Sequence, residues 1–191
     1  MGSALRNTLL RCLVTGFAAL LLAGTTAFSQ KKEQISANAR GTSTQLGRLM
    51  SIDIHINAQS TAADQKALLE AFQENGSEGL TNAVDKMSSK GRIAITGTLG
   101  FDLNYIREFK LPDGGRKIRF ITDRPITFGE HWGSTRSMDY SLSMGEIILS
   151  KNGKYTGTLM PAAKFRLNKE KEIEIETYQN PWELTNIKVW K

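Results

Sequence analysis

Between Ile93 and Leu111 the apolar residues fall on alternate positions: Ile93, Ile95, Leu99, Phe101, Leu103, Tyr105, Phe109 and Leu111, interrupted by Gly97 and Arg107. A period of two is the pattern of a strand with one buried face. At about 3.3 Å per residue a straight strand over these 19 residues would run roughly 60 Å, too long for a domain of this size. The run must therefore bend. Gly97 and Gly100 are the natural places, because glycine permits the bulge by which one long strand coils round a barrel or passes between two packed sheets.

The same alternation recurs on both sides of this run. Ile52, Ile54 and Ile56 face one way, Ser51, Asp53, His55 and Asn57 the other, and Glu33 to Arg40 is placed to form the hairpin partner. PDGG at 112–115 reverses the chain into a strand carrying Ile118 and Phe120. Leu142 and Met144 alternate with polar residues, and Gly145 then shifts the phase towards Ile147 and Leu149, which predicts a bulge. Asn152-Gly153 marks a tight hairpin, Tyr155 to Leu167 runs back, and strands over Glu172–Tyr178 and Leu184–Trp190 close the chain. The one departure from period two lies at about 61–88. Thr61 and Asp64 form a capping box ahead of Leu68, Leu69 and Phe72; after Asn75-Gly76, Leu80, Ala83, Val84 and Met87 make a second apolar stripe. Stripes this narrow must cover something apolar, and the sheet is the candidate. The expected fold is α+β and mainly β: an antiparallel bent sheet of about eight strands, barrel-like or sandwich, with one αα-hairpin packed on it.

Residues 1–29 carry Arg6 and Arg11 without an acid, then the apolar run LVTGFAALLLA, then small and polar residues, the layout of a secretory signal peptide. Cleavage before Gln30, with Ala27 and Ser29 at the recognition positions, or before Phe28, with Thr25 and Ala27, leaves nearly the same mature chain; the first gives a single domain over 30–191 and lowers the net charge from +6 to +4. The protein is expected to be secreted or periplasmic, with no stable membrane insertion after cleavage. Its one cysteine, Cys12, leaves with the signal, so neither an intrachain disulfide framework nor a thiolate zinc site is available. That suits an oxidising compartment.

The chain carries two histidines, His55 and His131, and neither has another histidine at ligand spacing. Asp53 and His55 share a strand face, as residues of any polar solvent face would, so no metal site is assigned. The densest set of reactive groups is Asp123, Arg124, Glu130, His131, Trp132, Ser134, Arg136, Ser137, Asp139 and Tyr140, around a loop between two strands. Ser134 or Ser137 with His131 and Asp123 supplies the residue types of a nucleophile, base and orienting acid. No strained-turn motif frames either serine, so no catalytic residue is assigned. Arg124 or Arg136 pairing with Asp139 or Glu130 would pin the loop; alternatively Arg124, His131, Trp132, Arg136 and Tyr140 form the rim of a binding site for a small apolar or anionic ligand. Lys164, Arg166, Lys169 and Lys171 interleave with Glu170, Glu172, Glu174 and Glu176, a solvated hairpin face rather than a nucleic-acid surface. There is no phosphate-loop motif and no cofactor is expected.

The segments DKMSSKGRI, TLGFDLNYIREFKLPDGGRKIRFITDRPITFGEHW and TRSMDYSLSMGEIILSKNGKYTGTLMPAAK resemble a group of small exported bacterial proteins of uncharacterised function. The resemblance covers about residues 50–190. It implies export and one domain, and it implies no activity, cofactor or catalytic residue. The expectation is a noncatalytic exported binding or structural protein with a ligand or protein-partner surface; the alternative is a hydrolase using the 123–140 loop. If the odd face from Ile93 to Leu111 lines an open lumen, ligand capture is favoured; if side chains fill it, a protein partner is.

Overall fold

The computed structural model describes residues 32–41, 49–126, 140–167, 173–178 and 180–190; the expected signal peptide lies outside them. Among the described residues ten strands form one antiparallel sheet: β1 Glu33–Arg40, β2 Leu49–Ile56, β3 Gly91–Ile95, β4 Phe101–Leu103, β5 Tyr105–Lys110, β6 Arg116–Ile121, β7 Leu142–Leu149, β8 Tyr155–Leu167, β9 Ile173–Thr177 and β10 Trp182–Trp190. The order is β4-β3-β2-β1-β10-β8-β7-β6-β5, with β9 attached to β8. β4 and β5 stand at the two ends of this order yet are separated in the chain only by Asn104. One bent stretch therefore pairs with β3 through its first half and with β6 through its second, and the sheet nearly closes into a barrel. Ser60 bridges the seam, donating its amide to Ile106 O at 2.7 Å and accepting the Ile106 amide on its Oγ at 3.0 Å. Strands adjacent in space are mostly adjacent in sequence, as a meander with short turns requires.

The run from Ile93 to Leu111 is not one long strand. Gly97 and Gly100, with φ of 88° and 74°, make a reversal that pairs Ile93 with Phe101. Asn104 then inserts one extra residue, with its Nδ2 donating to Met87 O at 3.0 Å. The extra residue changes which face the odd positions occupy. Ile93 and Leu103 belong to the barrel core, whereas Tyr105 belongs to the outer cluster and Ile106 has moved inside.

The barrel interior is filled by side chains from β1–β8 and β10, among them Ile35, Ile54, Ile93, Phe120, Ile147 and Leu159. Gly145 is part of this packing and not a bulge, because a Cβ there would lie 2.1 Å from Phe120 Cζ. The irregularity falls between Leu142 and Met144 instead. At one end Arg116 on β6 meets Glu33 on β1 and Glu108 on β5; its Nη1 lies 2.9 Å from Glu33 Oε2 and 2.8 Å from Glu108 Oε2. The Glu33 hydrogen bonds hold the Arg116 guanidinium protonated well beyond its ordinary range.

The helical element α1, Ala62–Asp85, begins on the expected capping box, with Asp64 N donating to Thr61 Oγ1 and Thr61 N to Asp64 Oδ2. It breaks at Asn75 and Gly76, where Gly76 has φ 60° and ψ −142°. The chain folds back so tightly that a Cβ at Gly79 would lie 2.2 Å from Ala71 O. The two halves thus present Leu68, Phe72, Leu80 and Val84 together to the outer face of the sheet, against Tyr105 and Leu142.

Candidate functional site

Of the rim residues expected from sequence, His131, Trp132 and Arg136 lie outside the described residues, as do Glu130, Ser134, Ser137 and Asp139. Arg124 and Tyr140 are described. Arg124 is exposed, and its Nε lies 3.2 Å from Oδ1 of the neighbouring Asp123. The backbone beside it is held by a buried hydroxyl network invisible in the sequence. Thr122 Oγ1 donates to Arg124 O at 2.6 Å; Ser143 Oγ accepts the Ile126 amide and donates to Pro161 O, each at 2.6 Å. Such fully bonded buried hydroxyls fix a backbone position.

Tyr140 belongs to a polar cluster on β8 and β9. Its hydroxyl donates to Glu176 Oε1 at 2.5 Å, its ring lies 5.6 Å from that of Tyr178, and Lys164 Nζ stands 4.8 Å from its centroid. The Tyr140 hydrogen bond, followed by the charges of Lys164 and Arg166, lowers the pKa of the Glu176 carboxyl. Lys164 and Arg166 pair with Glu176 and Glu174 at 3.3–3.8 Å across the hairpin, as the interleaved charges of a solvated face should. On the far side of the barrel Asp53 Oδ2 accepts from Thr96 Oγ1 at 2.7 Å, and His55 lies opposite Gln34 and Arg92.

A concave apolar site forms elsewhere, between α1 and the outer face of β5–β9. It is a groove of about 580 Å³. Leu68, Leu69, Phe72 and Leu80 line it from the helix; Tyr105, Phe109, Ile121, Met144, Met160 and Phe165 line it from the sheet. These positions follow from the register: Tyr105 stands opposite Ile121, and Met144 opposite both Ile121 and Met160, so one outward-facing row runs across β5–β8. Phe72 meets Phe165 edge to face at 6.5 Å, which fixes one wall. Two short helical halves cannot cover four strands, and the uncovered width is the groove. Burial pushes the Tyr105 phenol above its ordinary pKa, so it stays neutral at physiological pH.

Gln65, Arg119 and Glu146 of the groove lining sit at one lip, with Arg107 beside them, opposite Arg119. Arg119 Nε donates to Glu146 Oε2 at 2.6 Å, and Arg107 Nη1 donates to Gln65 Oε1 on the helix. Both guanidiniums lie over the Phe109 ring, at 5.8 Å for Arg107 and 5.7 Å for Arg119. This groove is not legible in the sequence because the residues that build it come from six elements, and those of β5 reach its face only through the phase change at Asn104. The signal available was Arg107, which interrupts an otherwise apolar series.

No protein-family model matches the chain, and comparison with curated proteins and with solved structures returns no match. Among the described residues no helix is long and apolar enough to cross a membrane.

Proposed function

We propose that this is an exported, noncatalytic binding protein whose ligand is a small apolar molecule held in the groove between α1 and the outer face of β5–β9. The groove itself carries the proposal. Its volume of about 580 Å³ falls within the roughly 300–1,000 Å³ of small-molecule sites, and an apolar lining with a few polar groups at one side is what such sites share. The interior is filled by side chains, which on the lumen criterion alone favours a protein partner; the outer groove is the reason for reading a small ligand instead. Concavity, with helix on one wall and strand on the other, favours a small molecule over the flatter contact of a protein partner. Export rests on the arginine-led apolar segment at 1–29.

Titration with Nile red, an uncharged apolar dye, tests the site. Saturable blue-shifted emission at one dye per chain is expected, and Leu69→Trp, which fills the groove from its exposed lip, should abolish it without lowering the melting temperature. Dye binding unchanged in Leu69→Trp would place the ligand elsewhere. Intact-mass analysis of protein recovered from the culture medium or periplasm should show a chain beginning at about residue 28–30; a full-length chain in the cytoplasm would refute export.

A further inference from the structure

We infer that the ligand is a single-chain amphiphile with an anionic head, its chain in the groove and its head at Arg107 and Arg119. This rests on the proposed groove and adds the chemistry of the ligand.

The register places Arg107 directly opposite Arg119 on the outer face of β5 and β6. Like charges so placed destabilise a strand pair, and an anion between them removes the repulsion. Lys117, next but one to Arg119 on the same face, adds a third cation. Against these stands Glu146, which is shared by Lys117 at 3.6 Å and Arg119 at 2.6 Å. Asp64, at this end of the helix, accepts the Thr61 amide in the capping box. Among the described residues, therefore, the lip carries more positive than negative charge. The guanidinium donors are also only partly used. Arg119 meets Glu146 through Nε, which leaves its terminal nitrogens; Arg107 meets Gln65 through Nη1 and also interacts with the Tyr105 hydroxyl. Paired guanidiniums suit a carboxylate, sulfate or phosphate group, which they bind through two parallel hydrogen bonds. Phe109 lies beneath both, so the head would sit where charge gives way to the apolar lining.

Displacement of Nile red by dodecanoate and by 1-dodecanol, both below their aggregation concentrations, tests the inference. Dodecanoate is expected to bind at least about tenfold more tightly than dodecanol. Arg107→Gln/Arg119→Gln should weaken dodecanoate at least about tenfold more than dodecanol, removing that preference, and Arg107→Lys/Arg119→Lys should restore part of it. Retained dodecanol binding shows that the double variant folds. Equal affinity for the two compounds overturns the anionic head and leaves the groove standing. Failure of both to displace bound dye, or dye binding that Leu69→Trp does not affect, overturns the groove and the inference with it. Co-sedimentation with phosphatidylglycerol vesicles without binding of monomeric dodecanoate overturns a free amphiphile as the ligand.

Discussion

On the inner face of β6 and β7, the Phe120 ring occupies the space that a side chain at position 145 would need. One residue along each strand, on the outer face, Ile121 and Met144 border a groove. The same two strands thus present one face packed to the limit and one left partly open. The inner face is enclosed by the sheet itself, so each strand's inward residues meet those of strands across the barrel, and Ile35, Ile52, Ile54, Ile93 and Ile118 are fully buried. The outer face depends on one broken helix. Leu68, Phe72, Leu80 and Val84 are buried, but Leu69 is 43% exposed and Ile175 45% exposed. The packing puts stability in the inner face, the proposed binding belongs to the outer one, and substitutions on the two faces should separate these properties.

The largest effect is expected inside. Phe120→Ala removes the ring that Gly145 accommodates and should lower unfolding free energy by about 3–5 kcal/mol, read from the urea midpoint. A loss under about 1 kcal/mol would mean the interior is not the tightly filled layer described. Next comes the ion triad at the barrel end. Arg116→Met strands Glu33, whose side chain is only 7% exposed, and should destabilise by about 3 kcal/mol at neutral pH. Glu33→Gln in the same background should recover part of that loss, because it removes the stranded charge.

Outer-face changes should be smaller in stability and larger in binding. Leu69→Ala is expected to alter unfolding free energy by no more than about 0.5–1 kcal/mol, yet to weaken dye binding measurably. A large stability loss with unaltered binding would reverse the division between faces. The smallest effect concerns Tyr140 and Glu176. The Tyr140 hydrogen bond lowers the folded-state pKa of Glu176, so its stabilising contribution is present above the ordinary carboxylate pKa and lost as pH falls through the folded value. Tyr140→Phe should move the Glu176 titration, followed by carboxyl NMR shifts, upward towards the ordinary value. An unmoved titration would show that Lys164 and Arg166 set it instead.

Much of the architecture was legible because it depends on local pattern. Ile52, Ile54 and Ile56 alternate and are all buried, Thr61 and Asp64 cap the helix as expected, and PDGG turns β5 into β6. The failures share one physical origin: alternation reports that a face is apolar without reporting which face it is. The odd series from Ile93 runs through a reversal and then an extra residue at Asn104, so Leu103 enters the barrel and Tyr105 the groove. Gly145 suggested a bulge because its contact, Phe120, is 25 residues away in the chain and adjacent only through the β6–β7 register. The groove was hidden for the same reason. The expected rim at 123–140 is a separate matter: His131, Trp132 and Arg136 lie outside the described residues, and Arg124 and Tyr140 are engaged with Asp123 and with Glu176, Tyr178 and Lys164.

Methyl NMR of protein labelled at methionine and isoleucine, titrated with dodecanoate, tests the division between faces most directly. The Met144, Met160 and Ile121 methyls should shift together and saturate at one equivalent, while those of Ile35, Ile52 and Ile147 stay in place. Shifts centred on the inner isoleucines, with the groove methyls unmoved, would contradict it.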